Sequence, residues 1–145
     1  MSAAIQPITP SSRLTQFLAA CDLPVADIGQ SEALQFFAQE VDDQLGGVVG
    51  LELYPPFALL RSLAVATPCR GSGLGRALVA FAEQRAAANG IDTLFLLTTN
   101  AAPFFTALGY ANAARAETPA AIQATAQFSG LCPASSSLMS KCLCR

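Results

Sequence analysis

The stretch over residues 59–89 constrains the fold more than any other. An apolar run, Leu59-Leu60-Arg61-Ser62-Leu63-Ala64-Val65-Ala66, gives way to Thr67-Pro68-Cys69, then to Arg70-Gly71-Ser72-Gly73-Leu74-Gly75-Arg76 and an alanine-rich segment. The run is too short for a capped soluble helix and too apolar for a loop, so a buried strand is predicted, ended by Pro68. From there Leu74, Ala77, Leu78 and Phe81 recur at helical spacing, Arg76 and Glu83 share the opposite face, and Asn89-Gly90 supplies a left-handed stop. The order is strand, glycine loop, helix.

The first turn of a helix leaves backbone N–H groups without partners and carries the positive end of the macrodipole, so an anion is stabilised there. Gly71, Gly73 and Gly75 remove the Cβ atoms that keep a diphosphate away, and Arg70 and Arg76 add fixed positive charge. A polyphosphate ligand is one reading; a helix start that uses glycine only to pack tightly on the sheet is the other. A P-loop, and with it a nucleotide hydrolase, needs Gly-Lys-Ser/Thr at the loop end, but the sole lysine is the distant Lys141. The dinucleotide fingerprint needs a glycine where Arg76 stands.

The remaining pattern resembles the acyl-CoA loop of the GNAT N-acetyltransferases, Arg/Gln-x-x-Gly-x-Gly/Ala after a strand ending in Leu-Ala-Val. Arg70, Gly73 and Gly75 match it behind Leu63-Ala64-Val65, and the segment from Asn100 through Phe104-Phe105 to Leu108-Gly109-Tyr110 is similar to a second family motif. Within the superfamily, Leu-Leu-Arg-Ser-Leu-Ala-Val, Leu-Thr-Thr and Leu-Cys-Pro-Ala-Ser are most like the arsenic-resistance N-acetyltransferases. The resemblance implies an α/β fold: a mixed, mainly antiparallel sheet of six or seven strands flanked by helices, with the fourth and fifth strands parallel and splayed. It implies acetyl-CoA as co-substrate, held by Leu63, Ala64, Val65, the loop from Arg70 through Gly71, Ser72, Gly73, Leu74 and Gly75 to Arg76, and Asn100 and Phe104. The Leu63 amide would polarise the thioester carbonyl, and an amine would attack it directly in a ternary complex.

Composition narrows the class further. At 145 residues one domain over 1–145 is expected, and 52% hydrophobic against 12% charged residues suggests much buried surface and a homodimer. A net charge of −2 with no basic run argues against nucleic acid. Glu52 and Arg61 interrupt the most apolar region, so no membrane span of ~18 residues arises. No signal peptide is evident, which points to the cytoplasm. Five cysteines without a paired framework read as reduced thiols; Cys142-x-Cys144 has the spacing to take a soft metal or arsenic(III), but frayed ends disfavour it, and no metal site is expected. With no histidine, histidine bases and triads are excluded.

In chain order, residues 3–8 read as a first strand, and Ser11 caps a helix with Leu14, Phe17, Leu18 and Cys21 as its apolar stripe. Leu23-Pro24 stops that helix, and residues 25–30 read as a loop or short turn of helix, where the resemblance implies an acceptor pocket. Strands over 34–41 and 47–54 flank a connector at 42–46, and Pro55-Pro56 turns the chain into the strand already described. Residues 91–98 form the fifth strand; Thr99 or Asn100 caps a short helix ended by Gly109, and a sixth strand starts at Tyr110. A helix from Thr118-Pro119 with Ala121, Ala124, Phe128 and Leu131 on one face, closed by Gly130, precedes a last strand over 135–142.

Two charges fall inside strands. Glu52 shares a face with Gly50 and Tyr54, and Arg61 one with Leu59 and Leu63. Across the Pro55-Pro56 turn they either form an ion pair that stabilises the hairpin or serve the acceptor. In the second reading Arg61 holds a substrate carboxylate, and Glu52 takes a proton from the ammonium of a small, amino-acid-like amine. Phe105 stands where the family often has a tyrosine that protonates the departing thiolate. Tyr54, Thr98, Thr99, Tyr110, water or unassisted departure would have to substitute, or catalysis is lost and a CoA-binding interaction module remains.

Overall fold

A computed structural model describes residues 4–21, 23, 25, 28, 33–125, 128 and 136–143. Seven strands form one sheet in the order β1-β2-β3-β4-β5-β7-β6: β1 Gln6–Ile8, β2 Leu34–Val41, β3 Gln44–Tyr54, β4 Phe57–Val65, β5 Thr93–Thr98, β6 Ala111–Asn112 and β7 Ser137–Cys142. All neighbours are antiparallel except β4 and β5, which run parallel across the crossover helix α2, Leu74–Ala88. Helices α1 (Ser12–Ala20), α3 (Ala102–Ala107) and α4 (Ala120–Gln123) complete the order. The mixed sheet, its flanking helices and the parallel fourth and fifth strands are those expected.

The two faces of the sheet bury different clusters. Phe37, Val49, Leu51, Ala58, Leu60, Leu94, Leu96 and Met139 pack with α2 residues and Phe105 on one face. On the other, Leu14 and Leu18 of α1 meet Phe36, Val48 and Ala64, while Ile122 of α4 meets Leu59, Phe95 and Leu138. Gly47 is what lets α2 lie close to β3, because a Cβ there would come within 2.7 Å of Leu78 and 2.9 Å of Leu74.

Several local expectations are corrected. The 42–46 connector is a two-residue turn, with Asp42 and Asp43 both left-handed (φ 54° and 64°), so β3 begins at Gln44. The buried stripe of α2 is Leu74, Leu78, Val79, Ala82 and Ala86; Ala77 is exposed and Phe81 half-buried. Helix α4 is one turn whose buried residue is Ile122, while Ala121 and Ala124 are exposed; Leu131 and Gly130 lie outside the described residues. Neither Thr99 nor Asn100 caps α3: its N-cap is Ala101, with no side-chain cap, and Thr98 Oγ1 accepts from the Ala101 N–H at 3.0 Å just before the helix. Ser11 caps α1 as expected, accepting from the Leu14 N–H at 3.2 Å.

One polar cluster ties α2, α3 and β7 together. Lys141 Nζ donates to both Glu83 carboxylate oxygens at 3.1 and 3.0 Å and to the Leu108 carbonyl at 2.9 Å, and the Tyr110 hydroxyl donates to Glu83 at 2.9 Å. Burial, followed by the Glu83 charge, pushes the Tyr110 phenol far above its ordinary value. The unfolded chain releases that proton near pH 10.0 and the folded chain does not, so stability falls as pH rises past that point. In alkaline urea titrations the wild type should lose stability above that pH. Tyr110→Phe should lose less, although it starts about 1 kcal/mol lower for the missing hydrogen bond.

Candidate active site

The site lies where β4 and β5 part. Their pairing runs only over Phe57↔Thr93, Ala58↔Leu94 and Leu59↔Phe95, so both strands continue with the edges that face each other unpaired. Beyond the end of β4 a single turn of 3-10 helix, Thr67–Cys69, carries the chain into the glycine loop. Gly71 and Gly73 adopt φ of 83° and 86°, with nothing within 4 Å of either missing Cβ. These two glycines answer a backbone demand. Gly75 does not: its φ is ordinary for a helix, and a Cβ would make only van der Waals contact, 3.6 Å from Phe104 and from Val65. Glycine there lowers helix stability by about 1 kcal/mol relative to alanine without serving the chain's own packing, as expected where a ligand approaches the backbone.

The first intrahelical bond of α2 runs from the Ala77 N–H to the Gly73 carbonyl at 3.0 Å, so the preceding amides have no acceptor within the helix. They border an open cleft of about 470 Å³ lined by Val65, Cys69, Arg70, Gly71, Gly73, Leu74, Gly75, Arg76 and Phe104. Arg70 Nε donates to the Val65 carbonyl at 3.1 Å, which fixes the loop to the end of β4. The Ser72 hydroxyl donates to the Cys69 carbonyl within the same turn. Among the residues expected to hold a cofactor, Leu63, Ala64, Ser72 and Asn100 are outside this lining. Phe105 is buried between Phe104 and Tyr110, with ring centroids 5.1 and 5.6 Å away.

A bulge shapes the middle of β4. Its register against β3 passes from Gly50↔Arg61 to Val48↔Ala64, and Ser62 has φ 56°. The extra residue reverses the alternation. Arg61 therefore keeps the face of Leu59, whereas Leu63 turns to the α2 side with Val65, contrary to the face expected for Leu63. Nothing in the sequence marks this bulge, because its left-handed residue is a serine.

On the α1/α4 face the two strand charges meet. Arg61 Nη1 donates to Glu52 Oε1 at 2.8 Å, Arg61 Nε to Ser62 Oγ at 3.1 Å, and the Tyr54 hydroxyl to Glu52 Oε2 at 2.8 Å. The Arg61 and Glu52 side chains are 0% and 5% exposed. Gly50 makes room for this pair, since a Cβ would sit 3.3 Å from Arg61 Cγ and 3.1 Å from the Phe36 ring. The pairing of Glu52 with Arg61 was legible from the turn between them; the Tyr54 link was not. Of the hydroxyls considered for the thiolate, Tyr110 donates to Glu83 and Thr98 accepts from the Ala101 N–H. No group of three or more potential metal ligands occurs among the described residues, and Cys144 lies outside them.

A mixed sheet opened between two parallel strands, with a glycine loop starting a helix at the opening, defines a class of acyl-CoA-handling folds. The chain belongs to the acetyltransferase (GNAT) family, whose profile matches residues 6–110. Enzymes of this family are acetyl-CoA-dependent acyltransferases. An uncharacterized N-acetyltransferase of Chlorobaculum tepidum is 37% identical over 76 residues, 52% of this chain and 48% of that protein, so the match spans about half the length of the relative. Among solved structures, N-acetylglutamate synthase from Neisseria gonorrhoeae, complexed with coenzyme A and N-acetyl-glutamate, aligns over 100% of this chain and 36% of its own with TM-score 0.79 and 21% identity. An aminoglycoside 6'-N-acetyltransferase complexed with coenzyme A aligns over 98% of both chains with TM-score 0.72 and 15% identity. Among the described residues, no helix is long and apolar enough to cross a membrane.

Two variants test the geometry. Gly73→Ala forces a Cβ onto a left-handed residue and should lower stability by about 1 kcal/mol in urea melts while weakening coenzyme A binding measured by calorimetry. Arg61→Met leaves Glu52 buried without its cation and should cost about 3 kcal/mol or more, most of it recovered when Glu52→Leu is added.

Proposed function

We propose that residues 1–145 form one acetyltransferase domain that moves the acetyl group of acetyl-CoA to the amine of a small, amino-acid-like molecule. The observation that carries this reading is the loop at the start of α2, where unpartnered amides, two glycines with positive φ, a third with no conformational need, and Arg70 and Arg76 border one cleft. In this reading those amides and arginines hold the diphosphate, with Ser72 and Asn100 at its margin and Phe104 against the pantetheine arm. The unpaired edge of β4 through Leu63, Ala64 and Val65 pairs with the pantetheine amides.

In this reading the Leu63 amide, next to the bulge at Ser62 in the β3–β4 ladder, donates to the thioester carbonyl, where negative charge develops. The amine nitrogen attacks that carbon; the C–N bond forms, the C–S bond breaks and the thiolate leaves. Glu52 draws the ammonium proton through the Tyr54 hydroxyl, to which it is already hydrogen-bonded, and Arg61 holds the carboxylate in place as part of the acceptor pocket floor. Tyr110 takes no part in protonating the thiolate, because its proton is held by Glu83.

The arsenic-resistance resemblance supports an arsenic-containing amino acid as one acceptor. The free thiols of Cys21, Cys69 and Cys142 support a reducing, cytoplasmic setting, the apolar composition a homodimer, and the acidic balance a partner other than nucleic acid. Thiol release from acetyl-CoA should be followed against a panel of small amines that includes amino acids and an amino-acid organoarsenical. Amine-dependent release with intersecting initial-velocity patterns is expected. Tight acetyl-CoA binding with no amine-dependent release would instead assign a CoA-binding module in which the phenylalanine at 105 marks lost catalysis.

A further inference from the structure

The Arg61 guanidinium is enclosed by the sheet and engaged by Glu52, which directs attention to a second cation on that face of the sheet, Arg115. Arg115 begins a short 3-10 turn, Arg115–Glu117, and lies over the Phe128 ring at 5.4 Å; Phe128 packs on the Leu59, Phe95 and Leu138 cluster. Its Nη2 donates to the Ser136 carbonyl at 2.7 Å. Among the described residues its Nε and Nη1 have no protein partner, so part of the fork points elsewhere. Gln123 Nε2, which donates to the Arg115 and Thr118 carbonyls at 3.4 and 2.7 Å, holds the turn that presents it.

Beside this half-used guanidinium lies an independent anomaly. The Ser136 hydroxyl is buried, in a residue 5% exposed, and has no hydrogen-bond partner. A buried hydroxyl in this condition destabilises the free protein and calls for an explanation. Its position supplies one. The next residue, Ser137, pairs with Thr98 at the end of β5, three residues past Phe95, where pairing with β4 stops. Three residues past Leu59 on the other side of the opening is Ser62, so at equal rise per residue Ser136 and the bulge stand at similar height on opposite sides of the opening.

We propose that Arg115 and Ser136 form an oxyanion subsite on the acceptor side of the opening that receives a carboxylate of the acceptor, which makes the preferred substrate an amine that also bears a carboxylate. Nη2 spends one of its two hydrogens on the Ser136 carbonyl, so its other hydrogen, together with Nε–H or an Nη1 hydrogen, leaves one planar pair of donors that matches a carboxylate, and Ser136 Oγ–H supplies a third. The subsite deepens the transferase reading and, as a statement about substrate, rests on it. It moves carboxylate recognition from Arg61 to Arg115.

The test compares amino acids with their matching carboxamides as acceptors for the wild type, Arg115→Gln and Ser136→Ala, and measures binding of the same compounds by calorimetry in the presence of coenzyme A. The wild type should favour the acids at least tenfold in kcat/KM. Arg115→Gln should raise KM for the acids at least tenfold and leave both the KM for acetyl-CoA and kcat on the carboxamides within twofold. Ser136→Ala should raise the melting temperature of the free protein while raising KM for the acids severalfold, a combination that a purely structural serine would not give. An absence of preference in the wild type, or an equal loss on acids and carboxamides in Arg115→Gln, would overturn the subsite. If the wild type acetylates no amine, the transferase reading fails separately and calorimetry decides: acid binding that is lost in Arg115→Gln upholds the subsite, and no acid binding rejects it. Should Arg115→Gln not fold, Ser136→Ala decides by the same pair of readouts.

Discussion

Backbone groups without partners are what this structure is arranged around. A buried or half-buried N–H normally finds an acceptor within the chain, yet two adjoining places in this fold leave such groups facing the same opening. One is the first turn of α2, where intrahelical bonding starts only at Ala77. The other is the edge of β4 that loses β5 after Leu59. Both follow from a single crossover: α2 links two parallel strands and starts where the first of them ends, so the helix dipole and the open strand edge point into one cleft. An extended ligand with an anionic end and amides along its arm would supply the acceptors and donors that the protein leaves unmatched.

The opposite face of the sheet meets a different demand. Its apolar surface is split into two clusters, one under α1 and one under α4. Glu52, Arg61 and Tyr54 form a polar network on this face. Burying an ion pair in a sheet rarely adds net stability relative to apolar side chains of the same volume, so its retention points to a task other than folding. Gly50, which makes room for the arginine stem, and Ser62, whose left-handed backbone reverses the alternation of β4, both adapt the sheet to that network and to the turning of Leu63.

The glycine loop was legible because its residues answer local rules: positive φ at Gly71 and Gly73, Pro68 after the strand, Gly90 after the helix. The β3–β4 hairpin and the Glu52–Arg61 pairing followed from alternation and one turn, whereas the insertion of β7 between β5 and β6 did not. What escaped was set by packing over longer range. The buried stripe of α2 keeps Leu74 and Leu78 but continues through Val79, Ala82 and Ala86 in place of Ala77 and Phe81, a choice set by what the sheet presents to the helix. The bulge rests on a serine, a residue with no special claim on left-handed backbone, and so left no trace in the sequence. Ser136 and Arg115 are ordinary residues in the chain; only the fold makes one an orphan and leaves the other half-engaged. Family resemblance supplied the cofactor, while these local departures could be seen only in the fold.

The most direct measurement of the central claim is the response of the loop amides to coenzyme A in a 15N-labelled sample. If the first turn of α2 holds the diphosphate, the amide resonances of Gly73, Leu74, Gly75 and Arg76 move downfield together on titration, and dephosphorylated pantetheine leaves them in place while still shifting residues on the β4 edge. Saturating coenzyme A that leaves those four amides unmoved would contradict the account.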